Sequence, residues 1–268
     1  MSRLSDTFSS LRGAGAAGLF PYLTAGYPDV PTSRALAEAA LAAGADGFEI
    51  GVPFSDPLAD GATLQRANAR AVANGAGLAT ALDLARFIRA LSPATPLALM
   101  SYYNPLLQRG NDAVAAALSA AGVDAAIVPD LPTEESAAFR AALAGHGLAL
   151  APMLAPTSSD ARVRAVAELQ PAFIYCVALV GVTGARSDLS STLGDFLQRV
   201  RAATPAPLLV GFGIARPEHV RIVASLGADG AIVASALTDL VEHAADPVQA
   251  AKEYLVEMKR AGGRVSVG

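Results

Sequence analysis

Three carboxylates lie close together in the segment FEIGVPFSDPLADG, residues 48–61. Glu49 lies within an apolar run, whereas Asp56 and Asp60 come after it, among two prolines. Acids in such a loop are commonly solvated turn or helix-cap residues, and this alternative stays open for Asp56 and Asp60. Glu49 differs, because an acid in a buried strand must be paired or functional to offset its desolvation. The segment is therefore a candidate for proton-transfer chemistry.

Eight apolar runs are predicted to be the strands that position these acids. Most runs are continuously apolar rather than alternating, which is typical of parallel strands buried on both faces. Ala-rich helical patterns lie between the runs, often with Pro near the start and Gly at the end. The runs span residues 17–26, 46–54, 96–104, 124–132, 148–156, 172–180, 207–215 and 229–237.

The spacing of these runs favours one closed barrel of eight β/α units, a single TIM-barrel domain over residues 1–268. We expect an extra helix at the N-terminus and another after the second strand, around residues 62–74. A doubly wound open sheet is the alternative. No GxGxxG motif follows the first strand, which disfavours a dinucleotide-binding sheet.

One turn pattern occurs three times, in AAGADGFEI, AAGVDAAIV and SLGADGAIV. In each copy a helix ends at Gly, and an Asp two residues later leads into a strand. We interpret the pattern as a common helix-to-strand turn with an architectural role.

The composition excludes several classes of protein. Hydrophobic residues make up 53% of the chain and charged residues 16%, which is sufficient for a large core. A net charge of −4 without a basic run argues against nucleic-acid binding. The single Cys176 excludes an internal disulfide and a cysteine-based zinc site, and three scattered histidines disfavour a metal centre. The chain shows no signal-peptide core or long apolar segment, so we expect a cytoplasmic protein without membrane association.

The segments after the last two predicted strands resemble a phosphate clamp, since TIM barrels commonly bind phosphate there. GFGIARPE contains Gly211 and Gly213, which allow the backbone to approach a ligand closely, or which form only a tight turn. VASALTD contains Ser235, which is expected to begin a short helix whose amides face an anion. GVTGARSDLSS, residues 181–191, is either an ordinary loop or a flexible cover over the substrate.

The motifs PYLTAGYP, FEIGVPFSDPLADG, SYYNPL, PDLP, GVTGAR and GFGI occur in this order over nearly the whole chain. On these motifs the sequence resembles the tryptophan synthase alpha chain family. The resemblance implies a (β/α)8 barrel that cleaves indole-3-glycerol phosphate to indole and glyceraldehyde 3-phosphate by a retro-aldol reaction. It implies neither a metal nor an organic cofactor.

The resemblance also implies roles for individual residues. Glu49 and Asp60 match the two catalytic carboxylates of the family. Glu49 is expected to protonate indole C3 and then accept the glycerol hydroxyl proton, while Asp60 stabilises positive charge at the ring N–H. The expected substrate-binding residues are Tyr22, Met100, Tyr102, Ile127, Tyr175, Thr183 and Phe212, with Tyr175 packing and hydrogen bonding. The expected phosphate-binding residues are Gly184, Gly213, Ala234 and Ser235.

The sequence departs from the family pattern at four positions. Ala178 and Leu179 replace a common Ser-Arg pair, and Ala62 replaces a usual Pro. Ala234 replaces a usual Gly, so its methyl group is expected to weaken phosphate binding or shift the backbone slightly. The departures leave both catalytic carboxylates in place.

The resemblance further implies a complex with a tryptophan synthase beta chain, of α2β2 composition. Asp56, Pro57, Asn104 and Pro132 are then expected on the docking face, although they are also compatible with ordinary ordered loops. Two other functions stay open at this point. One is a stand-alone indole-3-glycerol phosphate lyase of secondary metabolism. The other is a non-catalytic barrel partner, which the presence of both acids disfavours.

Overall fold

The structure is a computed structural model that describes residues 2–178, 186–211 and 213–263, without the side chains of residues 186–191. The strands are β1 (Gly18–Thr24), β2 (Phe48–Gly51), β3 (Leu97–Met100), β4 (Ala125–Ile127), β5 (Ala149–Ala151), β6 (Met153–Leu154), β7 (Ile174–Val177), β8 (Leu208–Gly211) and β9 (Gly230–Val233). The α-helices are α1 (Arg3–Ala14), α2 (Val30–Ala42), α3 (Ala62–Ala73), α4 (Leu78–Leu91), α5 (Tyr103–Leu107), α6 (Asn111–Ala120), α7 (Ala137–Gly145), α8 (Asp160–Glu168), α9 (Arg186–Ala203), α10 (Pro217–Ser225), α11 (Ser235–His243) and α12 (Pro247–Ala261).

The strands form a nearly closed parallel barrel. Their hydrogen-bonded order is β5-β4-β3-β2-β1-β9-β8-β7-β6, and the two end strands are consecutive in the chain. Each of the eight apolar runs contains a strand, but the fifth is divided into β5 and β6. Pro152 lies at the division; it has no backbone N–H, and its carbonyl accepts a hydrogen bond from Tyr175 N at 3.0 Å. The predicted (β/α)8 barrel is confirmed, and the open sheet is wrong.

The two expected extra helices are also confirmed. Helix α1 precedes the first strand; Ser2 caps its start, and Gly15 ends it in the left-handed conformation with φ 63°. Helices α3 and α4 both lie between β2 and β3. Among the described residues, none of the helices combines the length and the apolar character needed to cross a bilayer.

Side chains inside the barrel form a continuous cluster that is separate from the core beneath the outer helices. Phe8 of α1 fills the amino-terminal end, with its ring centroid 5.9 Å from that of Phe20 and 6.3 Å from that of Phe173. The strand residues that point outward, such as Leu99 and Val210, belong to the other core. Since both faces of each strand are buried, the continuous apolar runs of the sequence are explained.

The three repeated Gly-x-Asp turns share one hydrogen-bonding arrangement. Each aspartate accepts a hydrogen bond from the backbone N–H of a residue in the neighbouring strand. The pairs are Asp46 with Leu19 at 2.7 Å, Asp124 with Leu97 at 2.8 Å and Asp229 with Leu208 at 2.8 Å. Arg3 and Arg12 of α1 form ion pairs with Asp124 and Asp229, so these turns also attach α1 across the amino-terminal end of the barrel.

Candidate active site

Glu49 lies inside the barrel on β2, in register with Tyr22 of β1 and Ala98 of β3. Its side chain is buried, and its Oε2 atom has no hydrogen-bond partner among the residues that the structure describes. Burial, and then the nearby charge of Asp60, raise the pKa of Glu49 to about 8. Glu49 is therefore protonated at neutral pH and able to donate a proton.

Asp60 lies at the end of the loop that joins β2 to α3, and only 8% of it is exposed. Gly61, rather than Asp60, is the N-cap residue of α3, so the helix-cap alternative is wrong for Asp60. Burial raises the pKa of Asp60 to about 6, although hydrogen bonds from Tyr102 and Asn68 lower it in part. Asp60 is therefore mainly ionised at neutral pH.

Two buried side chains hold this carboxylate. The hydroxyl of Tyr102 accepts a hydrogen bond from Ala59 N at 2.9 Å and donates one to Asp60. Asn68 Nδ2 donates to Asp60 Oδ2 at 3.1 Å. Asn68 was not among the predicted site residues, although its position carries a signal, since it lies on the same helical face as Leu64 and Ala71.

The two buried acids, which interact electrostatically, thus differ in protonation state. At pH 7 the pair supplies one neutral carboxylic acid, Glu49, and one carboxylate, Asp60. Pairs of acids whose pKa values are separated by their surroundings commonly divide the roles of proton donor and charge stabiliser. The arrangement suits a reaction that protonates one atom of a substrate while positive charge develops at another.

An apolar and aromatic wall surrounds the acids. The expected pocket residues Tyr22, Met100, Tyr102, Ile127 and Tyr175 are all buried in the cluster inside the barrel. Burial raises the pKa of the Tyr22 and Tyr175 hydroxyls well above its usual range, so both remain protonated. These residues can contact a flat aromatic substrate without competing for its proton transfers.

Gly211 has a different role from the one expected. A Cβ atom on this residue would lie 2.1 Å from the hydroxyl oxygen of Tyr175, and one on Gly51 would lie 2.0 Å from that of Tyr22. The space beside Gly211 is therefore filled by a tyrosine of the pocket wall rather than reserved for a ligand. Each glycine leaves room for the tyrosine side chain on the preceding strand.

Gly213, Ala234 and Ser235, the expected phosphate residues that the structure describes, lie beyond the carboxyl ends of β8 and β9. Ser235 begins α11 as predicted, and the N-cap residue of this helix, Ala234, makes no side-chain cap hydrogen bond within the described part of the chain. Gly213 is exposed, with φ 81°, and its carbonyl oxygen lies 2.9 Å from Nδ1 of His219. Ala234 has φ −119°, which lies outside the left-handed region that favours glycine.

Several predicted residues lie outside the described residues, namely Leu179, Thr183, Gly184 and Phe212. Of the segment 181–191, the structure describes only the backbone from Arg186 onward, as the first turn of α9. The other two departures are described. Ala178 is buried and donates its backbone N–H to Gly211 O at 2.8 Å, and Ala62 is the exposed first residue of α3.

The expected docking residues follow the carboxyl ends of β2, β3 and β4. Asp56, Asn104 and Pro132 are exposed, and Pro57 is half-buried. Beside Pro57, Leu58 is 90% exposed, which is unusual for a large apolar side chain.

The described residues contain one cluster with the geometry of a cation site, on the exposed face of α11. Ligand atoms of Asp239, Glu242 and His243 lie within 4.8 Å of one another. Arg66 already donates to Glu242 at 2.7 Å and lies 3.8 Å from Asp239, so a cation would compete with this guanidinium.

Comparison with known proteins identifies the family. A family model described as tryptophan synthase alpha chain matches residues 8–263. The chain belongs to the tryptophan synthase alpha chain family. The alpha chain from Roseiflexus sp. (strain RS-1) is 51% identical over 244 residues, covering 91% of this chain and 93% of the relative. The alpha chain from Chloroflexus aggregans is 47% identical over 267 residues, covering 99% of this chain and 100% of the relative.

A solved structure from the same family has the same fold. The tryptophan synthase alpha subunit of Legionella pneumophila superposes with a TM-score of 0.89 at 35% identity, covering 97% of this chain and 98% of that chain. Membership of the tryptophan synthase alpha chain family was expected from the sequence motifs and is confirmed. The reaction of the family, cleavage of indole-3-glycerol phosphate, is a carbon–carbon lyase reaction of tryptophan biosynthesis.

Proposed function

We propose that the barrel mouth performs the retro-aldol cleavage of indole-3-glycerol phosphate, with Glu49 as the proton donor and Asp60 as the charge-stabilising carboxylate. The observation that carries this assignment is the burial of two neighbouring acids, which raises the pKa of each to a different extent. A buried acid with a pKa of about 8 stands near a second acid with a pKa of about 6. Membership of the tryptophan synthase alpha chain family supports the same reaction.

The reaction needs a proton donor because the bond from indole C3 to the glycerol chain breaks only after C3 is protonated. Glu49 donates its proton to C3, and the resulting cation places positive charge on the ring nitrogen. The Asp60 carboxylate accepts a hydrogen bond from the ring N–H and stabilises that charge. The ionised Glu49 then takes the proton of the hydroxyl next to the breaking bond. The electron pair of this bond returns to the ring, giving indole and an aldehyde.

The surrounding residues bind the two ends of the substrate. The wall that contains Tyr22, Met100, Tyr102, Ile127 and Tyr175 packs against the indole ring. The N-terminus of α11 at Ser235 and the backbone at Gly213 bind the phosphate, because helix N-terminal amides attract anions. Thr183, Gly184 and Phe212 are proposed to complete these two subsites.

Single substitutions test the two roles. Glu49→Gln and Asp60→Asn are each expected to lower indole release from indole-3-glycerol phosphate by at least about 100-fold. Both variants are expected to retain the fold, by circular dichroism, and binding of glycerol phosphate. Asp83→Asn, which removes an exposed acid on α4, serves as the matched control. Turnover at the wild-type rate in either active-site variant would contradict the assignment.

We also propose that a tryptophan synthase beta chain binds over the loops that contain Asp56, Pro57, Asn104 and Pro132, in an α2β2 complex. The support is the family membership and the 90% exposure of Leu58 in the middle of this surface. Indole would then pass directly to the beta chain. Leu58→Asp is expected to weaken the complex by at least about tenfold and to leave the activity of the isolated chain unchanged.

Activity with and without the beta chain separates this proposal from a stand-alone lyase. Strong activation by the beta chain supports a synthase subunit, whereas full activity alone contradicts it. The beta chain would activate by ordering the loop that carries Asp60. Unchanged hydrogen exchange of residues 53–60 on complex formation would argue against this coupling.

Two further assignments complete the proposal. Residues 1–268 form one domain, since the strands of a single sheet extend from Gly18 to Val233 and α1 packs against the inside of the same barrel. The place of action is the cytoplasm, where amino-acid biosynthesis proceeds. Fractionation of cells that express the full chain tests the second assignment.

A further inference from the structure

Asn68 is the most deeply buried polar side chain that touches either catalytic carboxylate. It lies on α3, two turns after Asp60, and only 1% of it is exposed. Its amide makes three hydrogen bonds: Nδ2 donates to Asp60 Oδ2 at 3.1 Å and to Leu64 O at 2.9 Å, and Oδ1 accepts from Phe54 N at 3.2 Å. These contacts fix the orientation of the amide, because a flipped amide would place its NH2 group against the N–H of Phe54.

Two of these contacts, with Phe54 and Asp60, connect the two ends of one loop. Phe54 lies shortly after β2, which carries Glu49, and Asp60 lies just before α3. Asn68 therefore fixes the distance between the strand that holds one acid and the loop residue that is the other acid. The helix itself is anchored beneath the loop, since Leu64 and Ala71 are buried.

The same contact affects the charge of Asp60. A hydrogen bond donated to a carboxylate favours its ionised form and lowers its pKa, which opposes the effect of burial. The other titratable groups that face Asp60 are Glu49 on β2, Tyr22 on β1, Tyr102 after β3 and Tyr175 on β7. These residues contribute neutral or acidic groups, so Asn68 and Tyr102 supply the neutral donors that keep Asp60 ionised.

We infer that Asn68 is a positioning residue of the active site, which aims the Asp60 carboxylate at the substrate ring and keeps it ionised. This inference rests on the proposed role of Asp60. Asn68 then influences the reaction by orienting Asp60 and does not itself contact the substrate. Loss of the amide should therefore change the chemical step and leave the binding of the phosphate group intact.

Three variants test the inference in the full-length chain. Asn68→Ala removes all three hydrogen bonds of the side chain. Asn68→Asp keeps an oxygen that can accept from Phe54 N but replaces the donor with an acid that faces Asp60. Asn74→Ala is the matched control, because Asn74 is the exposed C-cap residue of the same helix and its side chain donates to Pro28 O, away from Asp60.

The first readout is indole release from indole-3-glycerol phosphate, measured from pH 5 to pH 9. For Asn68→Ala and Asn68→Asp we expect kcat to fall about 10- to 100-fold at pH 7, while KM changes less than threefold. The acidic limb of the pH–activity profile should move to higher pH in both variants. The shift should be larger for Asn68→Asp than for Asn68→Ala. Asn74→Ala should match the wild type. An unchanged kcat, or a raised KM with unchanged kcat, would overturn the inference.

The second readout does not depend on activity. NMR titration of protein labelled with 13C at the aspartate carboxyl carbons, with the Asp60 signal identified by its loss in Asp60→Asn, gives the pKa of Asp60 directly. A higher pKa in both Asn68 variants supports the inference, and an unchanged pKa overturns it. If the wild type released no indole, the proposed function would fail, and this titration would still decide the role of Asn68.

Discussion

The hydroxyl of Tyr102 connects the carboxylate of Asp60 to the backbone of its own loop. It accepts a hydrogen bond from the N–H of Ala59, the residue before Asp60, at 2.9 Å, and it donates one to the carboxylate. Burial raises the pKa of Tyr102 above its usual range, so the hydroxyl keeps its proton at all physiological pH values. The Tyr102 hydroxyl is therefore a permanent hydrogen-bond donor to the ionised form of Asp60.

Tyr102→Phe removes this donor while keeping the aromatic ring that packs on Phe54, with ring centroids 5.6 Å apart. We expect kcat to fall about tenfold at pH 7, because a hydrogen bond to a charged group contributes roughly 1.5–3 kcal/mol. The acidic limb of the pH profile should move upward as the pKa of Asp60 rises. Tyr103→Phe is the control, because the hydroxyl of Tyr103 contacts Asn111 outside the site.

The activity of the wild type should depend on pH with two limbs. Asp60 must be ionised, so kcat/KM is expected to fall as the pH drops below about 6. Glu49 must be protonated, so kcat/KM is expected to fall as the pH rises above about 8. Steady-state assays of indole release across pH 5–9 check this profile. A rate that rises steadily through pH 8 would contradict Glu49 as the proton donor.

Glu49→Gln should stabilise the fold at high pH. The folded-state pKa of about 8 lies above the ordinary value of 4.5, so the folded state binds more protons than the unfolded state between these values. The free energy of unfolding of the wild type therefore decreases as the pH rises from about 4.5 to about 8. Gln does not titrate, and each pKa unit corresponds to about 1.4 kcal/mol.

Urea unfolding at pH 5, 7 and 9 measures this difference. We expect the stability advantage of Glu49→Gln over the wild type to increase with pH, to a few kcal/mol at pH 9. Exposed Glu253→Gln on α12 should show no such trend. A constant difference across the three pH values would contradict a raised pKa of Glu49 in the folded state.

Gly211→Ala should disrupt the pocket wall. The new Cβ would lie 2.1 Å from the Tyr175 hydroxyl, and Tyr175 is itself closely packed, so one of the two residues must move. We expect a loss of about 1–3 kcal/mol in stability and a raised KM. Gly145→Ala is the control, since a Cβ there meets open space. Thermal melts and KM measurements compare the two variants. Equal melting temperatures and equal KM values would mean that Tyr175 moves aside without cost, and would contradict this prediction.

Asp229→Asn should weaken the amino-terminal end of the barrel without affecting the chemistry. Asp229 is buried, and it accepts hydrogen bonds from Arg12, Arg201 and Leu208 N, which hold its pKa below the usual value. We expect the free energy of unfolding to fall by about 1–3 kcal/mol. This loss is smaller than that for a fully buried ion pair, because both arginines are partly exposed. Since the pKa is lowered, this contribution is present at neutral pH and is lost as the pH falls below about 4.

Thermal denaturation of Asp229→Asn at pH 7, beside Asp83→Asn as an exposed control, measures this effect. Indole release at a temperature well below the midpoint should equal that of the wild type. A specific loss of turnover in the folded variant would show that the amino-terminal end of the barrel influences the active site.

The strands and the order of the β/α units could be predicted from the chain alone. Strands buried on both faces must be continuously apolar, and each of the eight apolar runs does contain a strand. Glu49 could be singled out in the same way, because a carboxylate within such a run has few explanations other than chemistry. The family could also be recognised from the sequence, since the identity and order of its motifs require no knowledge of the fold.

The tertiary structure decided which side chains meet. Asn68 lies eight residues from Asp60 and fourteen from Phe54, and its hydrogen bonds with these two residues depend on how α3 packs against the loop. From the sequence, Gly211 was expected either to let the backbone approach a ligand or to form a tight turn. The structure instead places Tyr175 beside it, because neighbouring strands bring the two residues together. The pKa values of Glu49 and Asp60 likewise come from burial and mutual proximity. Residue types are written in the chain, but desolvation and distance exist only once the barrel has formed.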